Sequence, residues 1–201
     1  MNALLKTSLL GLALVSTASM AGNFAGPEAG ASVTMIGGTS LVDLEKSNDS
    51  DGDYGQQSIG FKLHAGYGFD LGNDSGVIVG LGYNPTDIKA GTADTTSVVI
   101  KNSWSLSVAP GMMLNEKSLA YVKLAYEAGT LSIKDGAITR DESLSGFGFG
   151  AGLRTEINKT TFLETEIKQV NYKKFTIKGN SDSFDLTPEL TVGSVSVVFK
   201  F

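Results

Sequence analysis

The chain has 201 residues, room for one domain and little more, with 41% hydrophobic residues, a mean hydropathy of +0.05 and a formal charge of −5. Near-neutral hydropathy argues against a bundle of membrane helices, and the negative charge argues against nucleic-acid binding, which needs clustered Lys and Arg. The absence of Cys excludes a disulfide framework and a thiolate metal site, while 25 Gly without a collagen period mark tight turns or crowded positions.

The first residues, Met-Asn-Ala-Leu-Leu-Lys6, precede an apolar run from Thr7 to Ala18 and then Ser19-Met20-Ala21. A charged start, a short apolar stretch and a small-x-small ending form an export signal, with cleavage expected after Ala21. The run is too short for a spanning helix, which needs about 20 apolar residues. The expected division is therefore a signal peptide over 1–21 and one β domain over 22–201.

From Gly30 onward the dominant period is two, the strand signature. A first, weaker strand runs from Gly30 to Val42. In the second, Ile59, Phe61, Leu63, Ala65, Tyr67 and Phe69 share one face, against Gly60, Lys62, His64, Gly66 and Gly68. A water-facing side would be rich in Thr, Lys and Glu. Mostly Gly with an occasional charge fits the interior of a narrow barrel, where side-chain room is scarce. In Ser75–Asn84, Val77, Val79, Leu81 and Tyr83 oppose glycines, and in Lys101–Met112, Trp104, Leu106 and Val108 oppose Lys101 and serines. Ala120–Ala128 sets Val122, Leu124 and Tyr126 against Tyr121, Lys123 and Glu127. Gly146–Glu156 sets Phe147, Phe149, Ala151 and Leu153 against four glycines, Arg154 and Glu156. Leu163–Lys168 sets Leu163, Thr165 and Ile167 against Glu164, Glu166 and Lys168, and Leu190–Phe201 is the last strand.

These eight strands are joined by short turns at 70–75, 113–118 and 157–160, and by longer polar connections at 45–56, 85–97, 134–142 and 173–185. Three short turns opposite four long loops predict an all-β, eight-stranded antiparallel up-and-down transmembrane β-barrel. Its closure leaves no hydrogen-bonding edge facing lipid. A soluble sandwich would share the period but not the apolar outer face.

The segments Ala120–Tyr126, Gly146–Leu153, Thr161–Glu166 and Ser194–Phe201 resemble the small outer-membrane β-barrel family: OmpX/Ail-type and Opa-type surface proteins and the OmpA membrane domain. The ending, with Val195, Val197, Phe199 and terminal Phe201 on one stripe, resembles the signal read by the barrel-assembly machinery. The resemblance implies a monomeric barrel in the outer membrane of a Gram-negative cell, in contact with lipid and lipopolysaccharide. The family includes adhesins, tethers, narrow channels and a few lipid-modifying enzymes, and fold does not choose among them.

Lys62, His64, Lys101, Lys123, Glu127, Arg154, Glu156, Glu164, Glu166 and Lys168 map to inward faces. They would form either a conduction path or a plug of paired charges. The plug is favoured because an isolated charge in a low-dielectric interior is costly and eight strands leave space that side chains fill. His64, the sole His, is followed by Ala65 and Gly66 and lacks the His-x-Ser arrangement of barrel lipid A deacylases. No catalytic role is assigned to it, and no cofactor or metal is expected. Gly146–Gly152 has glycines at every second residue and fails the dinucleotide pattern. The acidic stretch at 48–53 fails the calcium-loop pattern, with Tyr54 at the required Gly and Gly60 at the final Glu. Lys168 and then Lys173, Lys174 and Lys178 surround the start of the fourth long loop, and are either a basic rim that would pair with lipopolysaccharide phosphates or ordinary surface charge. The leading expectation is a non-enzymatic surface protein acting through its outer loops. A narrow solute channel and, third, a lipid A-modifying enzyme are the alternatives.

Overall fold

Alternation with so few helix-favouring runs leaves the backbone one economical way to satisfy its N–H and C=O groups, which is to pair between strands. A computed structural model describes residues 23–44, 52–93, 96–135, 138–178 and 183–201. In chain order the strands are β1 (Gly26–Leu44), β2 (Gly52–Gly72), β3 (Ser75–Asn84), β4 (Ile88–Ala93) and β5 (Thr96–Asn115). They continue with β6 (Ser118–Asp135), β7 (Ile138–Asn158), β8 (Thr161–Tyr172), β9 (Phe175–Lys178) and β10 (Ser183–Lys200).

Neighbouring staves pair antiparallel, and β1 pairs with β10 from Glu28↔Lys200 to Leu44↔Phe184, which closes the ring. Both β3 and β4 pair with β5, and both β8 and β9 pair with β10, so ten strands make eight staves. The fold is the eight-stranded antiparallel barrel that the alternation predicts. The short turns are held by local chemistry. Asn115 and Asn158 each accept a hydrogen bond from the backbone N–H two residues on, at 2.9 and 3.0 Å. Gly72, Asn73 and Asp74 take positive φ, which a tight hairpin demands.

The connections expected to be irregular are largely strand. β6 and β7 pair up to Asp135↔Ile138, so the segment at 134–142 is the end of a hairpin, and 85–97 contains β4. Polar residues hid these extensions because the outer face no longer needs to be apolar once the strands leave the lipid. Residues 45–51 and 179–182 lie outside those described, as does the whole stretch 1–22.

Outward side chains form an apolar band: Met35 is 68% exposed, Ile59 76%, Leu81 60%, Phe147 65% and Ile167 63%. Trp104, Tyr126 and Phe147 touch in series across β5, β6 and β7, with ring centres 5.7 Å apart at each step. Such a band with an aromatic girdle suits hydrocarbon and would be untenable in water.

Inside, apolar residues gather at the two ends. Toward the long connections, Ile36, Ile88, Ala90, Ile100, Leu131, Leu144, Val170, Tyr172 and Leu190 form one cluster. At the short-turn end, Phe24, Ile78, Ala109, Leu119, Tyr121, Phe162 and Val198 form the other. β4 leans into the mouth. Gly38 is glycine because a Cβ there would lie 3.2 and 3.3 Å from the Ala90 carbonyl oxygen and Cα. The segment ahead of β1 packs into the opposite end: Phe24 stacks at 5.1 Å on Phe162, with its carbonyl against the bare Cα of Gly68.

Candidate functional site: a charged belt between two apolar layers

The central charged residues lie on β6, β7 and β8 and on β1 and β2, between the two apolar clusters. Arg154 of β7 is the centre. Its Nε donates to Glu164 Oε2 at 2.8 Å, on the neighbouring β8, and Nη2 donates to the same oxygen at 2.5 Å. Its Nη1 and Nη2 also cross the lumen to Glu28 of β1, at 2.5 and 3.0 Å. All three side chains are buried, so the guanidinium fork spans the barrel and ties together carboxylates 136 residues apart in sequence (164 less 28).

Two further bridges run from β6 to β8 over β7. Lys123 pairs with Glu166, which also accepts a hydrogen bond from the Tyr121 hydroxyl at 2.9 Å, and Lys168 pairs with Glu127. These bridges explain the glycines of β7. A Cβ on Gly152 would sit 2.3 Å from the Tyr121 hydroxyl oxygen, one on Gly150 would sit 3.0 Å from Lys168 Cβ, and one on Gly148 3.2 Å from Lys168 Cδ. The Gly-x-Gly-x-Gly run is thus a trough over which its neighbours reach each other.

The remaining sequence-predicted residues fall elsewhere. Lys101 donates to the Ser132 hydroxyl at 3.1 Å, near the bend where Asn102 takes positive φ. Glu156 lies toward the short-turn end and accepts from Asn23 Nδ2 at 3.2 Å, outside the central network. Lys62 lies along the inner wall over Gly82, and no carboxylate among the described residues is within 4.0 Å of its ammonium. Lys173 and Lys174 are exposed beyond the end of β8, and the Lys178 side chain lies outside those described. Val195, Val197, Phe199 and Phe201 all face outward, 54%, 40%, 49% and 80% exposed.

His64 sits over Gly30, where a Cβ would be 2.5 Å from its Nε2. Its Nδ1 is 3.5 Å from the Ser32 hydroxyl, which is 2.8 Å from that of Ser196. Sequence spacing could not place Ser32 beside His64, because the contact is made across the β1–β2 ladder. A Ser–His contact is the germ of a nucleophile–base pair, but this one is at the limit of hydrogen bonding and lies between the two apolar layers. Glu28 is the network member that the strand assignment misses, while Tyr121, placed on the inward face, is not counted among the charged candidates. Glu28 shares the inward parity of Gly30 and Ser32 and would have been found by extending that strand two residues.

The outer membrane protein beta-barrel domain family matches over residues 7–201, and the chain belongs to it. Its place is accordingly the outer membrane. No curated protein sequence matches the chain. Among solved structures, Neisserial surface protein A is 14% identical over 85% of this chain and 97% of its own, with a TM-score of 0.53. The attachment invasion locus protein Ail of Yersinia pestis is 15% identical over 86% and 98%, with a TM-score of 0.49. The outer membrane protease OmpT of Escherichia coli is 6% identical over 87% and 96%, with a TM-score of 0.48. At these identities the likeness is one of fold.

Proposed function

We propose that this outer-membrane barrel is a non-enzymatic surface protein that meets its partners with the part of its wall above the lipid, and that its lumen is not a passage. The observation that carries this reading is the stacking inside. Two apolar layers, one of them containing β4 and the other Phe24, flank a belt in which Arg154, Lys123 and Lys168 are each tied to carboxylates. An ion crossing either layer would shed its water without meeting a compensating dipole, which costs several kcal/mol or more.

Outside the lipid the strands continue. β7 pairs with β8 only from Gly146↔Tyr172 to the short turn, and β9 pairs with β10 alone. There β7 stays paired with β6 up to Asp135↔Ile138. Residues 139–143 are exposed there, polar or charged at every position, which discourages self-association. The export signal cleaved after Ala21, recognition of the Phe201 ending by the assembly machinery, the basic rim at Lys173, Lys174 and Lys178 against lipopolysaccharide, and a monomeric state belong to the same reading.

The test is ionic conductance of the refolded protein in a planar lipid bilayer. A folded barrel, identified by heat-dependent gel mobility, is expected to stay silent. Steady channels would overturn the reading and make the protein a narrow porin.

A further inference from the structure

On the lipid side of the wall, the aromatic row that runs through Tyr83, Trp104, Tyr126 and Phe147 stops at β7, because the partner of Phe147 on β8 is Asn171. The next staves finish the apolar band differently. Across β8, β10, β1 and β2, the successive partners Ile167, Gly193, Met35 and Ile59 form one outward row. The row above it, toward the long connections, is Gln169, Thr191, Gly37 and Gln57. The band therefore passes from apolar to polar between these two rows.

Each row holds one glycine, and the two are diagonal neighbours on the β1–β10 ladder, where Met35 pairs with Gly193 and Gly37 with Thr191. Unlike the glycines of β7, they make way for no neighbour. A Cβ on Gly193 would meet nothing within 4 Å, and one on Gly37 only the Thr191 carbonyl oxygen at 3.9 Å. Together they leave a hollow of about 480 Å³ in the outer wall, bordered by Met35, Gln57, Ile59 and Thr191.

An empty hollow facing hydrocarbon forfeits dispersion contacts along its whole lining, and packing is what drives association inside a membrane. The occupant has to be narrow. A second barrel is broad and convex and cannot enter a gap two glycines wide, whereas a single methylene chain can. The occupant also has one polar end. At the upper edge the Thr191 hydroxyl donates to Gln169 Oε1 at 2.6 Å, and Gln57 stands beyond Gly37, while the lower edge offers Met35 and Ile59. A lipid chain has the same layout, with an ester or amide at the head end and methylenes below it, and the long connections mark the outer leaflet.

We infer that this hollow is a binding site for one acyl chain of an outer-leaflet lipid. Its ester or amide linkage lies at Gln57, Thr191 and Gln169, and its methylenes run over Gly37 and Gly193 against Met35 and Ile59. That lipid stays with the barrel while the lipids around it exchange. The site is on the outside of the wall, so it stands whether or not the lumen conducts.

The test refolds the barrel into vesicles of phosphatidylethanolamine and phosphatidylglycerol with a trace of phosphatidylethanolamine that carries a diazirine on one acyl chain. After photolysis, peptide mapping should find label at Met35 and Ile59 several-fold above that at Leu106 and Leu124, which are also lipid-facing but lie on the other side of the barrel. Gly193→Leu projects into open space and should leave the fold intact, as read by heat-dependent gel mobility. It should bring the label at Met35 and Ile59 down to the level of the rest of the band. Even labelling around the barrel would mean that lipid merely wets this face. Enrichment that survives Gly193→Leu would mean that the hollow does not hold the chain, and labelling below that of the other side would mean that a second copy covers it. Each of these outcomes overturns the inference, and should Gly193→Leu not fold, the distribution of label on the unaltered barrel decides.

Discussion

Two walls of the same lumen are built on opposite plans. The wall of β6, β7 and β8 carries Tyr121, Lys123, Glu127, Arg154, Glu164, Glu166 and Lys168, a dense set of long side chains that fills the interior from one side. The wall of β3 and β5 carries Gly80, Gly82, Ser103, Ser105 and Ser107, and contributes little more than backbone and hydroxyls. The difference shows how an eight-stranded barrel fills its centre. Eight large residues meeting at one level would collide, so one side reaches and the other recedes. Glycine serves both plans for different reasons. On β7 it is a trough under rigid, paired groups, while on β3 it gives way to the flexible end of Lys62.

If the charged wall is the mechanical one, Arg154→Met should have the largest effect. It strands Glu28 and Glu164, and a broken buried pair costs about 3–5 kcal/mol. Urea unfolding of the refolded barrel measures it, and adding Glu28→Gln and Glu164→Gln to the same chain should recover much of the loss. An unchanged midpoint for Arg154→Met would mean that the bridge is incidental.

Next comes Gly152→Ala. Its Cβ would meet the Tyr121 ring at 2.3–2.4 Å and the Thr165 carbonyl oxygen at 2.7 Å, none of which can swing away cheaply. Overpacking of this kind costs about 1–3 kcal/mol, read from the same unfolding curves. Gly82→Ala is the matching change on the opposite wall. There the close atoms are Lys62 Cε at 2.3 Å and Ser105 Oγ at 2.6 Å, ends that can move, so the loss should stay below about 1 kcal/mol. Equal losses for the two alanines would erase the distinction between trough and yielding wall.

Ser105→Ala should give the smallest shift, about 0.5 kcal/mol, because one hydroxyl facing a chamber is all it removes. A loss as large as that of Arg154→Met would show that the serine wall carries stability and would reverse the comparison.

Much of this was legible along the chain because a strand's faces alternate strictly. Lys123, Glu164 and Arg154 had to face the same side as their neighbouring glycines once the apolar stripe faced lipid. The partners were not legible. Arg154 to Glu164 follows from a simple hairpin, but Arg154 to Glu28 depends on ring closure through the β1–β10 ladder. The strands at both ends were also hidden, since outside the membrane neither face needs to be apolar, and the polar residues of 134–142 read as loop although they form a hairpin.

The sequence by itself determined the period, the direction each side chain faces and the order of short and long connections, because these depend only on residues two apart and on local turn chemistry. The tertiary structure alone decided which charges meet across the lumen, that β4 and Phe24 pack into its two ends, and that Lys62 is left beside a chamber. Those outcomes follow from bringing distant staves within a few ångströms of each other, and no local pattern encodes how closely opposite walls approach.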